Sequence, residues 1–385
     1  MRLAALGQDC PKTLILERRA DYTYDRTWCF WGDVSPSVSR LTEHRWPTIK
    51  LRSADRHIEV DCHSMPYRMI SGSGFYRAAL KAIEQSVRID LRLGVSQSSE
   101  PRKLNGRWHI QTSDAIYGGA LLVDTRPIPN PAAENALLWQ SFSGHEIECD
   151  AEVFDPACAD LMDFTAADST AVHFNYVLPF SPTRALVETT VLSPERIGYG
   201  ALSGKLHDAI AGRLNGNSFR VLRTESGVLP MGGMPRRAGG DATYVRAGLT
   251  AGGARASTGY AFQRIQTWAD SCCQSICRLG VPTPHSPDPL LLRGLDRLFV
   301  SLLRSHPEIA PSLFLSLFEK TRSERLIRFL SDRGTLFDYA AIAAALPARP
   351  FLAEIPKAVL RKSRQPAGNF TLLQRVDHWL GLRNS

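Results

Sequence analysis

Apolar residues recur along this chain with two periods, and the period changes where the architecture should change. Thr13, Leu14, Ile15 and Leu16 form an apolar run ended by Glu17, the mark of a short buried strand. Before it, "MRLAAL" consists of helix formers, Gly7 is a natural helix stop, and Cys10-Pro11 makes a loop. The opening therefore reads as the second half of a strand–helix–strand unit. "RSADRHIEVDCHSMPYRMI" alternates as sheet and breaks at Pro66. "SGSGFYRAALKAIEQ" switches to helical spacing, with Phe75, Ala79 and Ile83 on one face and Ser73 as a candidate cap. Short strands follow over 87–123, with Asn105-Gly106 as a two-residue hairpin turn. "GGALLVDTRP" closes the stretch as a buried strand, and "PIPNPAAENA" is a connection.

Strand formers dominate 138–195, in "LWQSFSGHEIE", "LMDF", "AVHFNYVLPF" and "RALVETTVL". A helix near 206–214 separates these from strand-like "TESGVLPM" and "ATYVRAGLTAGG". "STGYAFQRIQTWADSCCQSICRLG" predicts a long helix stopped by Gly280, with Phe262, Ile265, Trp268, Ala269, Cys272 and Ile276 as its apolar stripe. Beyond the Pro-rich "VPTPHSPDP" the leucine spacing is helical throughout. The expected class is α/β with a β-rich middle and a helical end.

With 385 residues the chain can bury a substantial core. Lys and Arg outnumber Asp and Glu by 46 to 38, a net charge of +8 that favours anionic partners. The arginines are scattered among apolar residues, so nucleic acid is not an expected partner. No apolar run reaches the length of a membrane span. The eight cysteines are unevenly placed and read as reduced thiols. Cys272, Cys273 and Cys277 share a helix but lack a nearby His or a second Cys pair, so no metal site is expected.

Three stretches carry candidate chemistry. An acid ending a second strand, here Glu17, is where ribose hydroxyls are held in a dinucleotide site, but the same residue is also compatible with a solvated loop. In "TAGGARASTGYAF", Gly252, Gly253, Thr258 and Gly259 lead into a helix whose N-terminus could face an anion, and an ordinary Gly-rich loop is the other reading. In "RALVETTVL", Leu186, Glu188 and Thr190 share one strand face and Val187 and Thr189 the other. Burial would keep the Glu188 carboxyl un-ionised, which suits it to protonate a carbon–carbon double bond; a rim glutamate on an edge strand is the alternative.

Several uncommon stretches, in order along nearly the whole chain, resemble the lycopene cyclase family of flavoproteins. They are "DRTWCFW", "HRWP", "YRMISGSGFY", "VDTRP", "QSFSGHEIE", "FDP" with "LMDF", "YVLPFSPTRALVETT", "GVLPMG", "TAGGARASTGYAFQRIQTW" and the C-terminal "LDRLF" to "RPFL". The resemblance implies a Rossmann-like, three-layer FAD-binding domain interleaved with a β-rich substrate domain. Residues 1–137 and 220–280 would form the FAD-binding parts, 138–219 the substrate domain and 281–385 the helical region. It implies FAD reduced by NADPH or NADH, a hydrophobic polyene as partner, and a redox-neutral, isomerase-type cyclisation of lycopene ends to β-rings. Glu188 matches the essential acid of the family's "LEET"-like motif, with Thr189 where a second acid would stand. Glu17, Asp124, Arg126, Gly252, Gly253, Thr258 and Gly259 are the implied cofactor contacts. Trp28, Trp31, Phe142, Phe174, Tyr176 and Tyr260 are the candidates for stabilising a carbocation, and most of them are expected to be core.

The chain departs from the family in two places. The first strand and its Gly-rich turn do not precede "MRLAAL", so the FAD-binding domain is expected to be N-terminally incomplete, with Met1 an internal methionine of a longer frame. Residues 253–257 lack one position and a proline. For the amphipathic, basic "LLRGLDRLFVSLLR" and "SERLIRFLSDRG", packing against the flavin domain is the first expectation; a share of this surface is expected on a membrane, as peripheral attachment to its cytoplasmic face and not as a span. A flavin hydroxylase, a prenyl reductase or an inactive polyene-binding remnant are the competing expectations, and the sequence gives no reading of oligomeric state.

Overall fold

The computed structural model describes residues 1–32, 34–127, 136–166, 170–233 and 240–363, without the side chains of Thr250 and of residues 358–363. Most of the "PIPNPAAENA" connection and the end of the helical region lie outside them. Strands and helices are numbered along the chain. At its centre is a seven-stranded sheet in the order β16-β12-β15-β14-β13-β4-β5. Its members are β4 (Thr48–Arg52), β5 (His57–Asp61), β12 (Leu138–Cys149), β13 (Cys158–Asp163), β14 (Val172–Ser181), β15 (Arg184–Ser193) and β16 (Phe219–Met231). All neighbours are antiparallel except β13 and β4. The boundary expected at 219/220 thus falls within β16, which belongs to this sheet.

Smaller sheets surround it. β1 (Thr13–Leu16) pairs in parallel with β7 (Ile89–Arg92), and β11 (Leu122–Asp124) in parallel with β17 (Tyr244–Arg246). Among the described residues nothing pairs with the second edge of β1 or of β11. Leu14 and Val123 in those strands are 41% and 36% exposed, unusual for apolar residues of parallel sheet. β2 (Thr27–Phe30) and β3 (His44–Trp46) flank β6 (Tyr67–Ser71). β8 (Arg102–Leu104), β9 (Arg107–Gln111) and β10 (Ile116–Gly119) form a meander, and both Asn105 and Gly106 have the positive φ that their hairpin turn requires.

Helices cover both faces of the large sheet. α3 (Tyr199–Leu214) buries Leu206, Ile210 and Leu214 against Ile147, Val177, Ala185 and Val187 on the back. The front carries the main core. There α5 (Leu290–Ser305), α6 (Ala310–Lys320), α7 (Ser323–Leu330), α8 (Leu336–Ala345) and α9 (Ala348–Ser363) pack Val300, Leu313, Leu317 and Ile327 toward strand residues such as Leu161, Phe174 and Leu186. The short α1 (Pro36–Ser39) follows β2. α2 (Gly72–Glu84) is capped by Ser71, whose hydroxyl accepts from the Gly74 N–H, and not by Ser73 as expected. α4 (Phe262–Leu279) starts after the "STGY" residues, later than its spacing predicts, and ends as expected at left-handed Gly280. The opening helix is a 3-10 segment, Ala4–Asp9, broken at Gly7 with φ 58°.

Candidate active site

Strand register sets the chemistry of the front face. Tyr176, Glu188, Gly144 and Glu225 stand opposite one another on β14, β15, β12 and β16, one row across four strands. Residues paired in register point to the same face. The flanking rows are Phe174–Thr190–Phe142–Gly227 and Leu178–Leu186–Glu146–Arg223. Apart from Gly144, the first two of these rows wall a cavity of about 950 Å³ together with Leu186 of the third, closed elsewhere by Trp28, Tyr67, residues 257–262 and helical side chains including Phe299 and Phe314.

Glu188 lines this cavity, and its remaining accessible surface faces into it. Its Oε1 accepts the Thr190 hydroxyl at 2.9 Å, and Oε2 has no hydrogen-bond partner among the described residues. Burial pushes its carboxyl up to about 8, with Glu225 adding to the rise and Thr190 and Arg223 opposing it. The acid is therefore largely protonated at neutral pH.

The other charges of the wall are already matched. Glu225 is buried and its Oε2 accepts the Thr27 hydroxyl at 2.8 Å and Arg223 Nη1. Arg223 Nε also donates to Glu146 Oε2 at 2.6 Å, and Arg184 Nε donates to Glu146 Oε1 at 2.7 Å. Two arginines thus face two carboxylates, and neither guanidinium bonds Glu188. Sequence reasoning missed Glu225, Arg223 and Thr27. The available signal was an acid inside three separate strands, at positions 146, 188 and 225, where Glu is disfavoured.

Of the six candidate aromatics, Trp28, Phe142, Phe174, Tyr176 and Tyr260 line the cavity, more than packing frequencies led one to expect. Trp31 does not. It is 1% exposed and sits behind the wall against Tyr67 and Tyr260, at 4.4 and 6.0 Å between ring centres. Trp28 lies within β2 and lines the cavity, whereas Trp31 follows the end of the strand and turns into the core. Tyr176 donates its hydroxyl to that of Tyr67 at 2.9 Å, and burial holds both phenols well above their ordinary range.

The cofactor candidates fall into two groups. Thr258 and Gly259 reach the cavity wall. Gly252 and Gly253 shape the turn behind them. Gly252 has φ 95°, and a Cβ on Gly253 would lie 2.6 Å from the Gly248 carbonyl oxygen, so only glycine fits. The Gly248 N–H donates to His285 Nε2 at 3.1 Å, and burial lowers that imidazole to about 4, keeping it a neutral acceptor. Glu17, Asp124 and Arg126 do not line the cavity. Glu17 ends β1 as expected, accepting the Arg19 N–H and the Tyr22 hydroxyl. Asp124 takes Arg126 in a two-point ion pair at 2.9 Å and the Tyr244 hydroxyl at 3.0 Å, tying β11 to β17. Asp124 and Arg126 thus engage each other and do not reach the cavity.

A flavin requires an electron-poor, uncapped cradle and a slot for its ribose. The N-terminus of α4 has no side-chain cap and no acid in its first turn, and Ala261 and Phe262 line the cavity. Glu17 stands at the strand end where a ribose acid belongs. The residues present fit the flavin and ribose parts of FAD; no G-x-G-x-x-G lies among residues 1–12 for the pyrophosphate.

Fold and site together define a mixed α/β protein of the flavin-dependent oxidoreductase architecture, with a large sheet, a helical C-terminal region and a largely apolar cavity on whose wall Glu188 stands beside Glu225. Over 94% of both chains it is similar to a geranylgeranyl bacteriochlorophyll reductase-like protein of Thermoplasma acidophilum, at 13% identity and a TM-score of 0.55. The p-nitrophenol 4-monooxygenase of Pseudomonas putida DLL-E4 gives 10% and 0.56 over 93% of each chain. A flavin-dependent monooxygenase solved with FAD and substrate gives 11% and 0.55 over 93% of this chain and 69% of that one. The chain belongs to the lycopene cyclase protein family, whose model matches residues 3–355. It is 29% identical over 269 residues to the lycopene beta-cyclase of Paracoccus sp. (strain N81106 / MBIC 01143), a match spanning 67% of this chain and 66% of that protein.

Proposed function

We propose that this protein closes β-rings on the ends of lycopene or a similar carotene, with Glu188 as the general acid. The observation that carries this reading is the Glu188 carboxyl, held toward its un-ionised form on the wall of an aromatic-lined apolar cavity. A polyene has no polar handle, so the cavity must bind it by apolar and aromatic surface. Thr190 occupies Oε1, so the acidic hydrogen sits on Oε2, directed at the substrate. The carbon–carbon π pair takes that proton and leaves a carbocation. The neighbouring π pair then closes the ring, and loss of a ring proton restores neutrality. Trp28, Phe142, Phe174, Tyr176 and Tyr260, all on the cavity wall, supply the aromatic surface that stabilises the cation. The packed cavity excludes water that would trap it as an alcohol.

A bound reduced FAD, with NADPH or NADH as its reductant, supplies negative charge beside the cation and is not consumed. Thr258, Gly259 and the α4 N-terminus would hold its ring and Glu17 its ribose. Incubation of the protein with lycopene, FAD and reductant should give a product of unchanged mass with β-rings, and no stoichiometric loss of NAD(P)H. A product heavier by oxygen or by two hydrogens would instead establish a hydroxylase or a prenyl reductase.

A lipid-soluble substrate must also come from a membrane. Leu346, Ala348, Phe351, Leu352 and Ile355 line the cavity, and on α8 and α9 Phe337 and Leu352 are 81% and 64% exposed. Arg349 and Lys357 are exposed on α9. Among the described residues no single helix is long and apolar enough to cross a bilayer, while α8 and α9 form an apolar pair bent by 103°. This bend fits shallow insertion at the cytoplasmic leaflet. The protein should float with vesicles containing phosphatidylglycerol, and Phe337→Glu with Leu352→Glu should abolish flotation. Recovery of the unaltered protein only in the pellet fraction would refute the attachment.

A further inference from the structure

Glu225 lies outside every role assigned above, and the row Glu188–Gly144–Glu225 gives it one. Both glutamates pair in register with Gly144, from opposite sides of β12. Glycine places no side chain between them. A Cβ there would stand 3.3 Å from Glu188 Cβ and 3.2 Å from Leu186 Cδ1, so a larger residue would wedge into the space that lets the two carboxyls face each other. Burial raises the Glu225 carboxyl as well, and Arg223, Thr27 and Arg26 oppose that rise. Glu225 Oε2 takes two donors, the charged Arg223 and the Thr27 hydroxyl, whereas Glu188 takes one neutral hydroxyl.

We propose that Glu225 is a positioning residue, a fixed carboxylate that keeps Glu188 loaded with the proton it delivers. The inference rests on Glu188 being the acid of the proposed reaction. The groups facing Glu188 support it element by element. β16 contributes Glu225 and Arg223, β12 contributes Glu146, and β15 contributes Arg184, with both arginines engaged by Glu146 or Glu225. β14 contributes Tyr176, β6 Tyr67 and β2 Cys29, all of which burial keeps neutral. Arg26, just before β2, donates to the Ser226 and Asp25 carbonyls. Among the charges acting on Glu188, the repulsion from Glu225 outweighs the attraction of Arg223. A carboxylate beside a second carboxyl delays loss of the second proton, and the two titrate as a pair.

Glu225→Gln retains an acceptor for Thr27 and Arg223 and removes the charge. It then leaves Arg223 and Arg184 facing Glu146 alone. The alkaline limb of the activity profile should move to lower pH by about one unit or more, with a loss of about tenfold at pH 8, recovery near pH 6 and an unchanged KM. Glu225→Asp should restore most of the profile. Infrared difference titration of the full chain against Glu188→Gln reads the same coupling without turnover: a protonated carboxyl should persist above pH 7 in the unaltered protein and be lost earlier in Glu225→Gln. Identical infrared titrations in the two proteins, or a loss of activity equal at every pH, would overturn the proposal. If Glu225→Gln does not fold, a Glu188 carboxyl already ionised by pH 6 in the unaltered protein overturns it. Infrared coupling in a protein that closes no rings would refute the cyclase reading and leave the carboxyl pair standing.

Discussion

Glu188→Gln yields a folded protein that returns its polyene unchanged, with ring formation down by at least about a hundredfold and flavin content unaltered. The size follows from the role: a positioned general acid contributes about 10²–10⁴ in rate, and an amide cannot protonate an alkene. The fold should survive because Gln keeps the shape and the acceptor that Thr190 uses at 2.9 Å. It also removes a carboxyl whose ionisation burial and Glu225 oppose, so stability should hold or rise. The sign of the pH dependence is fixed as well. Activity of the unaltered protein belongs to the protonated acid, so it persists below about pH 8 and falls as pH rises through that value. Product quantification over pH 5 to 10, with flavin absorbance and circular dichroism on both proteins, checks each part. Normal turnover in the variant would remove Glu188 from the chemistry.

The depth at which this site was legible differs from residue to residue. Parity along "RALVETT" puts Leu186, Glu188 and Thr190 on one face, because a strand alternates sides whatever it pairs with, and all three line the cavity. What parity cannot supply is the neighbour across the sheet. Gly144 lies 44 positions before Glu188 and Glu225 lies 37 positions after it, and only the order β16-β12-β15 brings them beside Glu188. Trp31 shows the converse. It stands in the same aromatic cluster as Trp28, yet lies just past the end of β2 and turns into the core. The helical C-terminal region was readable as helices from leucine spacing, but its part in closing the cavity was not, since spacing identifies an apolar face and not what that face meets. Residues 253–257 hold the largest surprise: Arg255, a charged residue in a loop, is fully buried.

That arginine sets the second large effect. Arg255 Nε and Nη2 donate to the two oxygens of Asp296 at 3.2 and 3.1 Å, Nη1 donates to the Phe329 carbonyl, and the guanidinium lies 4.1 Å from the Phe329 ring centre. Ser257 adds its hydroxyl to Asp296 at 2.8 Å. This cluster joins the "STGY" turn, which walls the cavity, to α5 and α7. Asp296→Ala strands a buried cation whose only other acid among the described residues, Asp332, stands at 3.7 Å. Breaking such a pair costs about 3–5 kcal/mol, a large share of the roughly 5–15 kcal/mol that holds a domain together. The urea midpoint should fall with little change in slope. Replacing both partners by apolar residues, Arg255→Met with Asp296→Leu, should recover much of the loss, because the penalty belongs to the unpaired charge and not to the missing attraction. A midpoint for Asp296→Ala within about 1 kcal/mol of the unaltered protein would mean that the guanidinium finds water or another partner there, and that the turn is held to the helices by apolar contact alone.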